Sequence, residues 1–238
     1  GLTPAPYFIQ EVYSQLTSSY YFGKTDFNNS TDSEYTNGEG WSGPVFSAPK
    51  LNQIMNLPSS GKADSGPDAS LKVCFKTISN VSSVNGDHRL QLYLNNDLKK
   101  DTLMEGHGSR SFTMTTPRAG LGAATTPFKY SYPKLTDNSG VGITSNAVFS
   151  NYVWSYPHNF QMENKASFRM MLPNNTGADK YLLNMTALAA GTSPVWLYDL
   201  NEHRRIAVTN MNGTFKAVVP NGDSELRECF VFAETQVI

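Results

Sequence analysis

Leu71-Lys72-Val73-Cys74-Phe75-Lys76 alternates apolar and polar residues, and Arg89-Leu90-Gln91-Leu92-Tyr93-Leu94-Asn95 does the same. A period of two predicts half-buried strands, with Leu71, Val73 and Phe75 on one face and Leu90, Leu92 and Leu94 on another. Between them lies Asn85-Gly86-Asp87, residues that favour a tight turn. The same grammar continues outward. Residues 111–115, 128–132, 146–154, 166–172 and 181–188 read as further strands, and Pro133 closes the second of these because it cannot donate to a central ladder. A final set covers 195–200, 205–209, 213–219 and 229–233, separated by Asn210-Met211-Asn212-Gly213 and Pro220-Asn221-Gly222-Asp223.

Helical signals are confined to the first part of the chain. Phe8, Ile9, Val12 and Leu16 fall at near-helical spacing and predict one short helix, and residues 52–57 offer a second helical turn. Many short strands, frequent turns and no repeat of 20 to 50 residues predict an all-β fold, a jelly-roll-like antiparallel β-sandwich. The expected organisation is an extended lead-in over residues 1–40 and a single sandwich domain over 41–238.

Composition narrows the function classes. Charged residues are 16% of the 238, below the rough quarter of ordinary globular chains, and aromatics are 12%. Such a neutral, hydrogen-bonding surface fits an extracytoplasmic protein. Lys plus Arg is 19 against 20 for Asp plus Glu, so the formal charge is −1 and the basic footprint of a nucleic-acid binder is missing. No apolar run is long enough for a transmembrane helix. Gly1-Leu2-Thr3-Pro4 lacks the charged start and hydrophobic region of a signal peptide, and reads as the beginning of a mature or trimmed chain.

The chemistry-bearing residues are scattered. His88, His107, His158 and His203 share no metal-ligand spacing. Gly106-His107-Gly108-Ser109 lacks the Gly-x-Ser-x-Gly pattern and the strand-to-helix setting of a nucleophile elbow. Cys74 and Cys229 sit in apolar runs, which raise a thiol's pKa; they read as two buried thiols or as one disulfide between packed strands. Asp26, Asn28, Ser30 and Asp32 place oxygen ligands at alternate positions, as a calcium loop does. That segment lacks the turn glycine and has Asn37 where a bidentate Glu belongs, and a polar linker produces the same pattern. No other cofactor is suggested. Trp154 and Trp196, in strand-like segments, are expected in the core. Trp41, between Gly40 and Gly43, is the candidate for stacking on a ligand. Glu202-His203-Arg204-Arg205 reads as a solvated hairpin tip.

Three C-terminal segments carry a resemblance: Ser193-Pro194-Val195-Trp196-Leu197-Tyr198-Asp199-Leu200, Gly213-Thr214-Phe215-Lys216-Ala217-Val218-Val219-Pro220 and Glu225-Leu226-Arg227-Glu228-Cys229-Phe230-Val231-Phe232. In this order they resemble the region before the protease domain of PorU-like proteins. These are gingipain-type cysteine peptidases that act as sortases of the Bacteroidetes type IX secretion system. Tyr20 to Asp26, residues 38–46 and Val153-Trp154-Ser155-Tyr156 match the family's earlier segments in outline, so the resemblance runs from about Tyr20 to Ala233. Ser42, Pro44 and Pro157 depart from the pattern, and the stretch from Gly120 to Gly142 has no counterpart in it. The family's catalytic Cys and His lie downstream, so the resemblance implies no active-site residue here. It implies a scaffold for the downstream catalytic domain of the same polypeptide, at the periplasm, outer membrane or cell surface, with secretion-system or substrate proteins as further partners. A carbohydrate-binding module or surface adhesin domain is the alternative.

Overall fold

A computed structural model describes residues 2–21, 39–81 and 84–234. In chain order the strands are β1 (Phe8–Gln15), β2 (Ser19–Tyr21), β3 (Gly40–Ser42), β4 (Phe46–Ser47), β5 (Lys50–Pro58), β6 (Ala69–Thr77), β7 (His88–Leu94), β8 (Asp97–Met104) and β9 (Gly108–Thr116). They continue as β10 (Thr125–Tyr132), β11 (Asn146–His158), β12 (Gln161–Lys165), β13 (Ser167–Pro173), β14 (Lys180–Leu188), β15 (Val195–Asp199), β16 (Arg204–Met211), β17 (Thr214–Pro220) and β18 (Leu226–Ala233). One turn of 3-10 helix, Arg118–Gly120, interrupts them.

Alternation drives the strands as expected. Leu71, Val73 and Phe75 of β6 and Leu90, Leu92 and Leu94 of β7 are fully buried, each contributing about 1.5–3 kcal/mol of burial. Asn95 and Asn96 both adopt left-handed φ, 52° and 68°. That conformation gives the tight two-residue hairpin joining β7 to β8, with Leu94 opposite Asp97. Asn212-Gly213 does the same between β16 and β17.

The topology confirms the jelly roll. One sheet contains the order β1-β11-β6-β9 and the facing sheet has β5-β10-β7-β8. Numbering these eight strands 1 to 8 along the chain gives 1-8-3-6 and 2-7-4-5, the connectivity of a double-sheet jelly roll. Their shared core includes Leu57, Leu71, Leu92, Phe128, Phe149 and Trp154.

The larger sheet does not stop at β1. It continues through β13, β18, β15, β16, β17 and β14 to β12, all antiparallel except the β12–β14 pair. β16 pairs with β15 over Arg204 to Val208 and with β17 over Thr209 to Met211. It thus turns the corner and folds the sheet back on itself. The second core, with Phe168, Met170, Leu183, Leu197, Phe215 and Val231, fills that fold. Phe8 belongs to this second core, while Val12 and Leu16 of the same chain segment pack on the first.

Two expectations are corrected. Residues 8–15 form β1 rather than a helix, paired with β11 from Phe8↔His158 to Gln15↔Asn151. Residues 52–57 lie in β5 rather than a helical turn. Within the stretch from Gly120 to Gly142, the strand expected at 128–132 is present as part of β10, an inner strand of the four-stranded sheet. Pro157 does not end β11, because β6 pairs with β11 only as far as Ser155, and on the side where Pro157 lacks an N–H there is only the isolated bridge Lys62↔His158, whose bonds run from Ala63 N to Pro157 O and from Asn159 N to Gly61 O.

Candidate functional site

On β6 the side chains between the core residues point outward. Cys74 and Lys76 therefore face away from the core, yet Lys76 is buried. The cover is the small β2–β3 sheet, in which Tyr20 pairs with Trp41. The Lys76 ammonium donates to the carbonyls of Glu39 at 3.1 Å and Trp41 at 3.5 Å. The Trp41 carbonyl also accepts from Gln15 Nε2 at 2.9 Å and Ser150 Oγ at 3.0 Å. Burial lowers the Lys76 pKa, against the opposing pull of Cys74 and Glu39. One carbonyl thus gathers donors from β1, β6 and β11 and fixes the hairpin to the sheet.

Beside this anchor lies a cleft of about 370 Å³ lined by Gln15, Trp41, Cys74, Lys76, Ser109 and Asn151, among others. The indole of Trp41 is 52% exposed, with Tyr20 edge-on to it at 5.4 Å and 86°. The Cys74 thiol meets Ser109 Oγ at 3.3 Å. At the end of β2, the Tyr21 hydroxyl meets His107 Nδ1 at 2.8 Å. The arrangement offers an aromatic face, an amide-and-hydroxyl wall and one buried cation, which suits binding by stacking and hydrogen bonds.

The other sequence candidates are dispersed. Asp26, Asn28, Ser30 and Asp32 lie outside the described residues. Among the described residues no three His, Cys, Asp or Glu side chains gather for a metal ion. Cys74 and Cys229 are both free thiols, so the disulfide reading does not hold. Cys229 points into the second core, where burial pushes its pKa up to about 12. Trp154 is fully buried, its Nε1 donating to Pro58 O at 2.7 Å. Trp196 is not a core residue. Val195, Leu197 and Asp199 take the inner face of β15, which leaves Trp196 half-buried outside with Arg205 over its ring at 3.6 Å.

The 202–205 tip is also more than a solvated turn. Glu202 Oε1 accepts from Asp223 N at 2.8 Å, and Arg204 Nη1 donates to Asn221 O at 3.1 Å, tying this turn to the β17–β18 loop. Sequence reasoning missed the ion pair beneath it. Asp199 and Arg227, both on inward-facing positions, meet at 2.5 Å between Oδ2 and Nη1, fully buried. Charged residues on the inward parity of β15 and β18 were the available signal. Both belong to the C-terminal segments that carry the family resemblance.

Together these features define a class: an all-β sandwich with a jelly-roll core, a second core in the same sheet, and an open polar cleft. No protein-family model matches the chain, and no curated protein matches it. Among solved structures it is similar to dimeric latent PorU from Porphyromonas gingivalis, with a TM-score of 0.63 over 98% of this chain at 12% identity. This chain spans about a fifth, 21%, of that protein's length. At such identity the likeness is one of fold. It is also matched, at a TM-score of 0.32 and 10% identity, by the CBM36-1 domain of a multidomain xylanase from the hindgut metagenome of Trinervitermes trinervoides, covering 61% of this chain and 96% of that one. That superposition is too loose to argue from.

Proposed function

We propose that this chain is a non-catalytic β-sandwich domain of an exported gingipain-type, sortase-like peptidase, working outside the cytoplasm as a scaffold for a downstream protease domain. The carrying observation is the fold likeness over 98% of this chain to a part of PorU. The three resemblance segments support it, because they supply β15, β17 and β18, the strands that close the second core. The outer face of β15 and β18 offers a surface for the next domain: Tyr198 and Phe230 both stack on Phe232, at 5.5 and 5.7 Å. The gene beyond the codon for Ile238 provides the test. An α/β domain bearing a Cys and a His is expected there, and it should bind this chain when the two are expressed separately. A frame that enters an unrelated fold, or two parts that do not associate, overturns the proposal.

The exposed Trp41 beside a polar cleft supports a second reading, a glycan-binding module. In a glycan array this reading expects a ligand whose binding Trp41→Ala weakens by about 10-fold, since an aromatic contact contributes roughly 0.5–1.5 kcal/mol beyond the area it buries. An array with no positive spot removes it.

A further inference from the structure

The four-stranded sheet ends differently on its two sides. One edge strand, β8, carries Asp97, Lys99, Lys100 and Asp101, the kind of charge that keeps an exposed edge from pairing. The other, β5, has Lys50 as its one charged residue and, among the described residues, pairs only with β10.

The direction of the β5 backbone groups follows from Pro127. Its carbonyl accepts from Asn95 N at 2.9 Å, on the β7 side, and it has no N–H. Pro127 stands opposite Asn56, so this pair makes no hydrogen bond between β5 and β10. An extended residue sends its N–H and C=O to the same side of the strand. Asn56, and two residues back Ile54, therefore aim both groups at the free edge. Among the described residues, no backbone bond outside the ladders reaches either of them. The Ile54 side chain is 66% exposed.

Beside this edge the two sheets part. A cleft of about 230 Å³ opens there, lined by Leu16, Val45, Phe46, Met55, Tyr130 and Phe149, with Lys50 as the one charged lining residue. It is smaller than the roughly 300–1,000 Å³ of small-molecule sites and suits one large apolar side chain. Lys129, opposite Ile54 on β10, turns the other way and lays its ammonium over the Tyr93 ring of β7 at 4.0 Å, which leaves the charge at this edge to Lys50. Among the described residues no carboxylate lines the cleft to balance Lys50.

We propose that the β5 edge and this cleft form one docking site for an extended, acidic-flanked segment of a partner protein. Its backbone pairs with Ile54 and Asn56 as an added strand, an apolar side chain enters the cleft, and an acidic residue faces Lys50. Edge pairing supplies affinity and the pocket supplies selectivity, as in other strand-addition sites. The inference is independent of the peptidase-scaffold reading.

Fluorescence anisotropy with three labelled heptapeptides, EVTFTVE, KVTFTVK and EVTSTVE, tests it. Saturable binding is expected for the first, with the other two weaker by about 10-fold or more. Ile54→Pro removes an N–H that faces the free edge and leaves the β10 ladder intact, so it should lower affinity by a similar factor without lowering Tm by more than a few degrees. Lys50→Glu should reverse the preference between acidic and basic peptides. Val45→Asp, on the exposed rim, should abolish the advantage of Phe over Ser. No saturable binding up to about 1 mM, equal affinity for all three peptides, or indifference to Ile54→Pro overturns the proposal. A concentration-dependent dimer that Ile54→Pro dissolves in sedimentation also overturns it, by assigning the edge to a second copy.

Discussion

His158 sits where the two cores meet, its ring stacked on Phe8 at 4.9 Å and against Phe168 at 5.4 Å. Its Nδ1–H donates to the carbonyl of Asn159, so in the neutral ring Nε2 carries the lone pair. That atom is buried, 3.6 Å from Glu163 Oε1 and beyond hydrogen-bond reach. Burial lowers the His158 pKa, although the bond to Asn159 and the Glu163 charge pull it up. The unfolded chain then takes up a proton near its ordinary value of about 6.5 that the folded chain refuses. Stability is complete above that value and falls as pH drops below it, by at most about 1.4 kcal/mol per pH unit. His158→Phe should remove the loss between pH 6.5 and 5 in urea titrations, whereas an unchanged slope would assign it elsewhere. Glu163 acts in a lower window. Burial opposes its ionisation, but Lys165 and Ser60 hold it at about 2, so its contribution is complete above about pH 4.5 and is lost progressively as the pH falls from there towards 2. The buried Asp199–Arg227 pair gives a second residue-scale expectation. Removing one partner strands the other charge, so Asp199→Ala should cost about 3–5 kcal/mol in denaturant unfolding, while Asp199→Leu with Arg227→Met should recover most of it. A double variant as unstable as the single would show that the pair does more than neutralise itself.

At the scale of elements, β1 shows why some of the fold could be read from sequence and some could not. Phe8, Val12 and Leu16 are four apart, a spacing that satisfies one face of a helix and, being even, one face of a strand. Only Ile9 breaks the parity; it stands on the outer face of the sheet, opposite the half-buried Met171 of β13. The choice was made by β11, well over a hundred residues away in sequence, through eight paired positions. By contrast β6 and β7 bury one face each, and their alternation was unambiguous. In β11 the mixed pattern has a local cause: the ladder to β6 shifts between Phe149 and Asn151, so the inward set changes from Ala147 and Phe149 to Tyr152, Trp154 and Tyr156. Trp41 was legible as exposed from its glycine neighbours, but the cleft beside it was not, because its walls come from β1, β3, β6, β9 and β11. One consequence is testable. Deleting residues 1–15 removes an inner strand rather than a lead-in, baring the long edge of β11 and emptying the Phe8 position. The truncated chain should be insoluble or lack a cooperative melt; a soluble chain with unchanged Tm would contradict the position of β1.

The whole molecule places two cores on one face of one sheet. The four-stranded sheet covers the first, and the sheet's own return through β16 covers the second. Two cores of this size could unfold separately, since each has its own enclosing strands. Their junction argues for coupling. Phe8 lies in the second core while its strand is laddered to β11 of the first, and His158, at the end of β11, packs on Phe168 of β13. Losing either core would therefore expose aromatic rings that the other needs. The tryptophans allow this to be measured: Trp154 is buried in the jelly-roll core, and Trp196 lies on β15 of the second unit. Two variants, each keeping one of these indoles and replacing the others by Phe, should show coincident urea midpoints and equal m-values, the signature of a single cooperative unit. Separated midpoints, with Trp196 released first, would mean that β13 to β18 form an independently folding domain that β1 merely touches.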